Sequence, residues 1–348
     1  MQRVLLFWGH SLFWPDPNGP WQSSIQAGTA EGLALASPLW DYLSRSYELV
    51  LVAANGRVFD RQLPPSIDVV YFDTAGELYR YVEHTPPVAA ILWNGTDLAS
   101  TIFVNWIKAL AGKVLTLEYG LFPQGEFIKI EAGGVLAAAD APPQQLLESI
   151  QSPAVDEYLT SLRLPYDMAP VSFPNSINSQ NALLVLQTDY DSSIALGSPF
   201  PELKVFINYL VSSGFDFSKV SVRKHPKMPS EDFVSAFNDI SQVCIDDSPT
   251  PIHALTKYSI FFGLNSTLMY EAVLLGKPVV NFGTMYGMNG FTLSGYEYLR
   301  SGLDSKHWES TRRSRELIVY FMHRFRQFSV TGPLSETFVR YLKTLLPT

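Results

Sequence analysis

The stretch VRKHP at residues 222–226 and the stretch GLNST at residues 263–267 decide the fold. Each ends an apolar run that is short and rich in β-branched and aromatic residues, a pattern typical of a buried strand. The second stretch leads into a helical pattern over residues 266–275, which Gly276-Lys277-Pro278 ends. Because loops that follow buried parallel strands meet at the carboxyl edge of a sheet, both stretches are predicted to border one ligand site.

The predicted helix start after the second stretch has the features of a phosphate site. Ser266 and Thr267 stand at the N-cap and in the first turn, where backbone N–H groups, two hydroxyls and the positive end of the helix dipole converge. His225 adds a further donor, and Glu271 falls one turn after Thr267, where a carboxylate accepts hydrogen bonds from a ribose. Each feature alone also fits a plain cap or turn. Together they predict a site for a nucleotide-monophosphate or nucleotide-diphosphate sugar.

The composition indicates a globular protein of two domains. The chain has 348 residues, of which 47% are hydrophobic and 13% aromatic, and a chain of this length normally divides into two cores. No apolar run reaches the roughly 18 residues that span a bilayer, and residues 1–9 are predicted to form a strand rather than a signal sequence. The single cysteine, Cys244, suits a reducing compartment, so we expect a cytoplasmic protein. The net charge of −8 argues against nucleic acid as a partner.

Alternating strands and helices predict an α/β fold with parallel sheets in two Rossmann-like domains. We expect an N-terminal domain over residues 1–140, a proline-rich interdomain passage over 141–180, a C-terminal domain over 181–310, and C-terminal helices over 311–348 that pack back on the first domain.

Two further strand ends carry carboxylates. A strand at residues 114–117 leads into Glu118-Tyr119-Gly120 and then into a turn-rich segment, and a strand at 182–186 leads into Gln187-Thr-Asp189-Tyr-Asp191. A carboxylate at such a strand end suits acid–base chemistry, although a surface glutamate is an equally simple interpretation of Glu118. The paired aspartates suit a nucleophile or a metal site. Because the spacing of a calcium loop is not met, metal is disfavoured.

A basic segment near the end of the chain allows two interpretations. Six cationic or titratable side chains alternate there with apolar ones: Arg312, Arg313, Arg315, His323, Arg324 and Arg326. They form either a solvated face of a packed helix or a peripheral contact with the anionic inner face of the plasma membrane or with an anionic glycan.

The four polar pieces stand in an order that resembles a known family. Glu118-Tyr-Gly120, Gln187-x-Asp189-x-Asp191, His225-Pro226 and Asn265-Ser-Thr267 with Glu271 follow one another as in bacterial GT-B transferases that use CMP-activated ulosonic acids. The resemblance covers about residues 114–283. It is closest to the retaining β-Kdo transferases of capsule and lipopolysaccharide assembly, where Kdo is 3-deoxy-D-manno-oct-2-ulosonic acid. It implies a GT-B-like fold with a cleft between two Rossmann-like domains.

The resemblance also implies roles for single residues. His225 with Pro226, and Asn265 with the Ser266-Thr267 helix start, would hold the CMP phosphate, and Glu271 the ribose. Asp191 would be the nucleophile, with Asp189 as second choice, and Glu118 the acid/base. The sequence departs from the family at Tyr119, where many relatives have a second acidic residue, which weakens the assignment of Glu118. Weaker candidates for donor-sugar or acceptor contacts are Gln187, Arg223, Lys224 and His10.

The resemblance implies a metal-independent enzyme that takes CMP-Kdo as donor and a saccharide or lipid-linked saccharide as acceptor. Two alternatives stay open. One is an inverting sialyltransferase that uses CMP-sialic acid, and the other is a non-catalytic protein that binds CMP or glycan during polysaccharide assembly. A UDP-hexose enzyme would share Ser266, Thr267 and Glu271.

Overall fold

The computed structural model of the protein describes residues 2–8, 32–54, 63–93, 105–110, 112–120, 126–132, 152–163, 177–178, 180–189, 194, 198–240, 242–283, 292–310 and 312–346. The chain divides into two compact units. Residues 1–135 and 323–348 form the first unit, and residues 136–322 form the second.

The elements follow the alternation that the sequence predicts. In chain order they are β1 (Gln2–Trp8), α1 (Ser37–Leu43), β2 (Tyr47–Ala54), β3 (Ile67–Phe72), α2 (Ala75–His84), β4 (Ala89–Trp93), β5 (Lys113–Tyr119), β6 (Phe127–Ala132), α3 (Ser152–Arg163), β7 (Ala182–Val185), α4 (Leu203–Ser212), β8 (Ser221–Arg223), α5 (Ser230–Phe237), β9 (Cys244–Ile245), α6 (Pro251–Lys257), β10 (Ile260–Gly263), α7 (Thr267–Leu274), β11 (Val279–Asn281), β12 (Leu293–Ser294), α8 (Gly295–Ser301), α9 (Ser305–Ser310), α10 (Arg312–Phe325), β13 (Gln327–Ser329) and α11 (Glu336–Leu345).

The first unit contains a seven-stranded sheet in the order β13-β6-β5-β4-β1-β2-β3. Strands β5, β4, β1, β2 and β3 pair in parallel, as predicted. Strand β6 is antiparallel to β5 and β13 is antiparallel to β6, so the sheet is mixed. The sequence reading missed both strands and took the segment after Gly120 for turns. Apolar and charged residues alternate in β6 (FIKIEA), which is a strand signal.

Two apolar clusters form the core of the first unit. One joins β-strand side chains to α1 and to the last helix, α11, whose Phe338 and Leu342 are buried in it. The other packs strands β1, β2 and β4 against α2 and residues 106–110. The end of the chain therefore belongs to the first unit through β13 and α11. The division between the units falls inside α10.

The second unit contains a six-stranded parallel sheet in the order β12-β11-β10-β7-β8-β9. Every residue of β7, β10 and β11 is buried, as expected for the centre of a parallel sheet. Helix α7 confirms the predicted helix, and Gly276, at φ 79°, follows it in the left-handed conformation that glycine favours. Helix α3 lies within the segment expected to be an interdomain passage. Its Arg163 donates to the Leu274 carbonyl at the end of α7 over 2.7 Å.

Lys277, just after α7, is a buried cation of the second unit. Its side chain is 2% exposed, and its ammonium donates to the carbonyls of Leu255 and Tyr258 around the end of α6. It also lies 5.8 Å from the centroid of the Phe261 ring. Burial lowers the pKa of Lys277 to about 8. Lys277, which follows α7, therefore caps the carboxyl end of α6.

This pKa predicts a pH-dependent stability. Between pH 8 and about 10.4, the ordinary pKa of lysine, the unfolded chain still holds the Lys277 proton while the folded protein has released it. Because the unfolded state then binds more protons, the free energy of unfolding contributed by Lys277 rises with pH, by up to about 3 kcal/mol. Urea unfolding of the wild type and of Lys277→Met at pH 7.5, 9 and 10 measures this difference. A difference that stays constant with pH would contradict the prediction.

Candidate functional site

The candidate site lies at the carboxyl edge of the second sheet. Gly263, Val185 and Arg223 are Cα partners in one row across β10, β7 and β8. The segments after these strands therefore leave the sheet at the same level. Neighbouring strands are about 4.8 Å apart, so the backbones of the β10 and β8 segments are about 10 Å apart at this edge. Side chains from both segments can reach a phosphate placed between them.

The start of α7 has the conformation of a helix N-terminus. Ser266 is the N-cap residue with extended backbone angles, φ −81° and ψ 139°, and its side chain makes no capping hydrogen bond to the helix. Asn265 before it adopts a left-handed conformation at φ 48° and is buried. Thr267 begins the helix, and Glu271, one turn later, is 8% exposed. The first-turn amides and the Ser266 hydroxyl make this end of the helix suitable for an anion.

Buried amide side chains hold the segment that precedes α7. Gln187 Nε2 donates to the Asn265 carbonyl over 3.3 Å. Asn281 Oδ1, at the end of β11, accepts from the amide of Asn265 over 3.5 Å and from that of Gly283 over 3.1 Å, and its Nδ2 donates to the Gly283 carbonyl over 3.2 Å. Three neighbouring strand ends are thus tied together. The sequence analysis missed Asn281, although an asparagine that ends an apolar strand is a signal for such a site.

His225 lies in a tight turn after β8. Its Nδ1 accepts a hydrogen bond from the amide of Lys227 over 3.2 Å, and its carbonyl accepts one from the amide of Met228 over 3.0 Å. Since Nδ1 is an acceptor, the neutral ring carries its proton on Nε2. His225 is half-buried and Pro226 is exposed. Lys224 donates to the Ser230 hydroxyl at the start of α5 over 3.2 Å.

Arg223 is bound to a buried aspartate. Its Nη1 lies 2.5 Å from Asp246 Oδ2 and also donates to the Ser248 carbonyl over 2.9 Å. The side chain of Asp246 is fully buried. Burial by itself raises the pKa of Asp246, but hydrogen bonds from Ser248 and Arg223 outweigh it, so the pKa lies below its ordinary value. The sequence analysis proposed that Arg223 contacts the donor sugar or the acceptor. In the structure, its guanidinium binds Asp246 and the Ser248 carbonyl.

Of the two aspartates that follow β7, the structure describes Asp189 but not Asp191. Asp189 Oδ1 accepts a hydrogen bond from the amide of Leu203 over 2.5 Å. It thereby satisfies the first amide of α4, where the N-cap residue Glu202 provides no side-chain cap. Asp191, the predicted nucleophile, lies outside the described residues, and so does His10. Asp189 therefore has a structural role in the second unit.

Glu118 lies on β5 of the first unit and forms an ion pair across the sheet. Its Oε2 is 3.1 Å from Lys129 Nζ, and the Lys129 side chain is 4% exposed. Gly120 follows at a point where a Cβ atom would come within 2.6 Å of the Phe127 Cβ, so only glycine fits between β5 and β6. Gly120 thus allows the backbone after β5 to approach the start of β6 closely.

Several members of the basic segment have internal partners. Arg313 Nη1 lies 2.6 Å from Asp156 Oδ1. The Arg315 guanidinium stacks 3.4 Å from the Trp308 ring centroid, and burial lowers its pKa to about 10. Arg326 is buried in the first unit. These contacts fit the interpretation of a packed helix, and a membrane contact stays a prediction.

Within the described ranges, no three or more His, Cys, Asp or Glu side chains are grouped so that they could hold a metal ion. The helices seen in that part of the chain are all too short or too polar to cross a membrane.

Two units of alternating strands and helices, one with a mixed sheet and one with a parallel sheet, define the class of the protein as a GT-B-like fold of two Rossmann-like domains. A solved structure described as Thermosulfurimonas dismutans KpsC, beta Kdo 2,7 transferase, has a TM-score of 0.56 at 13% identity over 99% of this chain and 98% of that one. A second, described as the KpsC beta Kdo 2,4 transferase of the same organism, has a TM-score of 0.49 at 17% identity over 80% of this chain and 91% of that one. Likeness at this identity concerns the fold.

Residues 171–322 match the family described as capsule polysaccharide biosynthesis protein. The matched segment contains the whole parallel sheet of the second unit and the candidate site at its edge. No curated protein sequence matches the chain. Over residues 171–322, the resemblance to proteins of capsule polysaccharide synthesis that the sequence analysis stated is confirmed.

Gly283 provides a test of the site geometry. A Cβ atom at this position would overlap the side-chain amide of Asn265, so this buried side chain would have to move. We expect Gly283→Ala to lower the free energy of unfolding by about 1–3 kcal/mol, the usual cost of overpacking. Chemical denaturation measures the change. The control is Gly76→Ala in α2, where the nearest atom to the added Cβ is 3.8 Å away and no loss is expected. Equal stability of both variants would contradict the prediction.

Proposed function

We propose that the protein is a glycosyltransferase that moves Kdo from CMP-Kdo to a saccharide acceptor in bacterial surface polysaccharide synthesis. One observation carries the proposal. The His225 turn and the start of α7 leave the same edge of a parallel sheet, within the segment shared with capsule polysaccharide biosynthesis proteins. Such an edge is where doubly wound sheets bind nucleotides.

The donor phosphate is proposed to bind between these two segments. The first amides of α7, the Ser266 and Thr267 hydroxyls and the helix dipole all favour a negative charge. His225 donates to the same phosphate through Nε2, because its Nδ1 accepts the Lys227 amide. This charge stabilisation is needed most when CMP departs, since the phosphate then takes up the electron pair of the broken bond. Glu271, on the same helix face as Thr267, accepts from the ribose hydroxyls.

Asp191 is proposed as the nucleophile and Glu118 as the acid/base. The Asp191 carboxylate attacks the anomeric carbon as CMP leaves, and the acceptor hydroxyl then displaces the carboxylate while Glu118 takes its proton. Two inversions retain the configuration. The helix amide bound by Asp189 favours Asp191 over Asp189 for this role, because an attacking Asp189 would have to leave α4 uncapped. No step of this proposal uses a metal.

The acceptor is proposed to be a saccharide, free or linked to a lipid. A lipid-linked acceptor would bring the protein to the inner face of the plasma membrane. The exposed Arg324 is then a candidate for the contact.

Variants of the carboxylates test the mechanism. We expect Asp191→Asn to abolish Kdo transfer while CMP still binds, because the nucleophile is lost and the phosphate site is kept. Glu118→Gln is expected to slow transfer by about 10²–10⁴-fold, the usual contribution of a general acid or base. The matched control is Asp189→Asn, whose amide oxygen still accepts from Leu203. Transfer rates with CMP-Kdo and a Kdo-terminated or lipid-linked saccharide measure all three. An active Asp191→Asn would exclude the covalent route.

The donor and the stereochemistry are tested on the wild type. We expect transfer from CMP-Kdo, little or none from CMP-sialic acid or UDP-hexoses, and an NMR spectrum of the product that shows a retained β configuration. Transfer from CMP-sialic acid with inversion would establish the sialyltransferase alternative. Tight CMP binding without turnover of any donor would establish a binding protein.

A further inference from the structure

Asp246, which the sequence analysis did not single out, has a fully buried acidic side chain that contacts the last residue of β8. Both of its carboxylate oxygens are occupied within the second unit. Oδ1 accepts from the Ser248 amide over 3.1 Å, from the Ser248 hydroxyl over 2.6 Å and from the Tyr258 hydroxyl over 3.0 Å. Oδ2 faces Arg223 at 2.5 Å, and the side chain is fully buried.

The contact with Asp246 helps to fix Arg223, the last residue of β8. The carbonyl of Arg223 accepts from the amide of Leu186 over 3.0 Å, which ties its backbone to the segment after β7. Its guanidinium is held by Asp246 and by the Ser248 carbonyl. Main chain and side chain are thus both anchored, and only Lys224 separates this anchor from His225.

We infer that Asp246 is a positioning residue for His225 and that it acts through Arg223. The inference rests on the proposed function, in which His225 binds the donor phosphate. A buried charge that loses its partner is strongly unfavourable, so without the Asp246 carboxylate the guanidinium would have to move towards solvent. The segment that leads from β8 to the His225 turn would then be held at Arg223 only by its backbone hydrogen bond to Leu186.

The first experiment uses calorimetry to compare the affinity of the protein for CMP with its affinity for cytidine. Asp246→Asn keeps the shape of the side chain but turns an amide group or a neutral oxygen towards Arg223. We expect its affinity for CMP to fall roughly 10-fold, since a misplaced contact group weakens binding by this order, while its affinity for cytidine stays within about 2-fold because the nucleoside makes no phosphate contact. If Asp246→Asn does not fold, Arg223→Lys, which is shorter and lacks the planar guanidinium, is expected to show the same selective loss.

Tyr258→Phe is the matched control. It removes a hydrogen bond to the same carboxylate but leaves the Arg223 contact in place. We expect it to lower stability and to leave the ratio of CMP to cytidine affinity unchanged. If Tyr258→Phe and Asp246→Asn lower the ratio of CMP affinity to cytidine affinity equally, the inference is overturned. The effect would then follow from a general loss of stability around the carboxylate.

The second experiment places Asp246→Asn in a His225→Ala background. If Asp246 acts through His225, its substitution has no further effect on CMP affinity there, although it still lowers the melting temperature. A loss of CMP affinity as large as in the wild-type background would overturn the inference and leave the proposed function intact. If the wild type binds CMP no more tightly than cytidine, the proposed phosphate site fails, and the positioning role fails with it.

Discussion

The burial of a parallel sheet on both faces is the constraint on which the second unit depends. Strands β7, β10 and β11 expose none of their residues, so polar groups cannot lie along them without losing water. They gather instead where the strands end. Because all strands run in the same direction, these ends lie at one edge, and the chain must satisfy many polar backbone groups there at once. This edge is therefore where we propose that a polar ligand binds.

Side chains of fixed geometry satisfy polar backbone groups at this edge of the sheet. Asn281 and Gln187 bind the backbone before α7, and Asp246 with Arg223 anchors the backbone at the end of β8. In the proposed function, both arrangements would position the phosphate-binding groups through the main chain, without touching the phosphate themselves. Amide side chains suit the first position because they donate and accept together. An ion pair suits the second because the guanidinium reaches a carbonyl and a carboxylate at the same time.

Many elements of the second unit were predictable from local sequence patterns. Its side-chain contacts were not, because they join residues that are distant in the sequence. The strands around VRKHP and GLNST, the helix after Ser266 and its end at Gly276 follow from hydrophobic pattern and capping chemistry, which act within a few residues. The partner of Arg223 is 23 residues away in the sequence, and the contact of Gln187 with Asn265 spans 78 residues. No local pattern specifies such pairs. Strand β6 was missed although its alternation was visible, because the turn signals before it received more weight.

Structural partners also bear on catalytic candidates that only the family resemblance ranks. Asp189 and Asp191 are two residues apart after the same strand, and composition cannot distinguish them. A carboxylate that satisfies a helix amide would leave that amide unsatisfied if it moved to attack a sugar, at a cost of about 1–3 kcal/mol. Asp189 is in that position, which favours Asp191 as the proposed nucleophile. Arg223 is subject to the same argument. A role in binding the donor would compete with the buried ion pair, so we propose Arg223 as a support for His225 rather than as a second ligand of the phosphate.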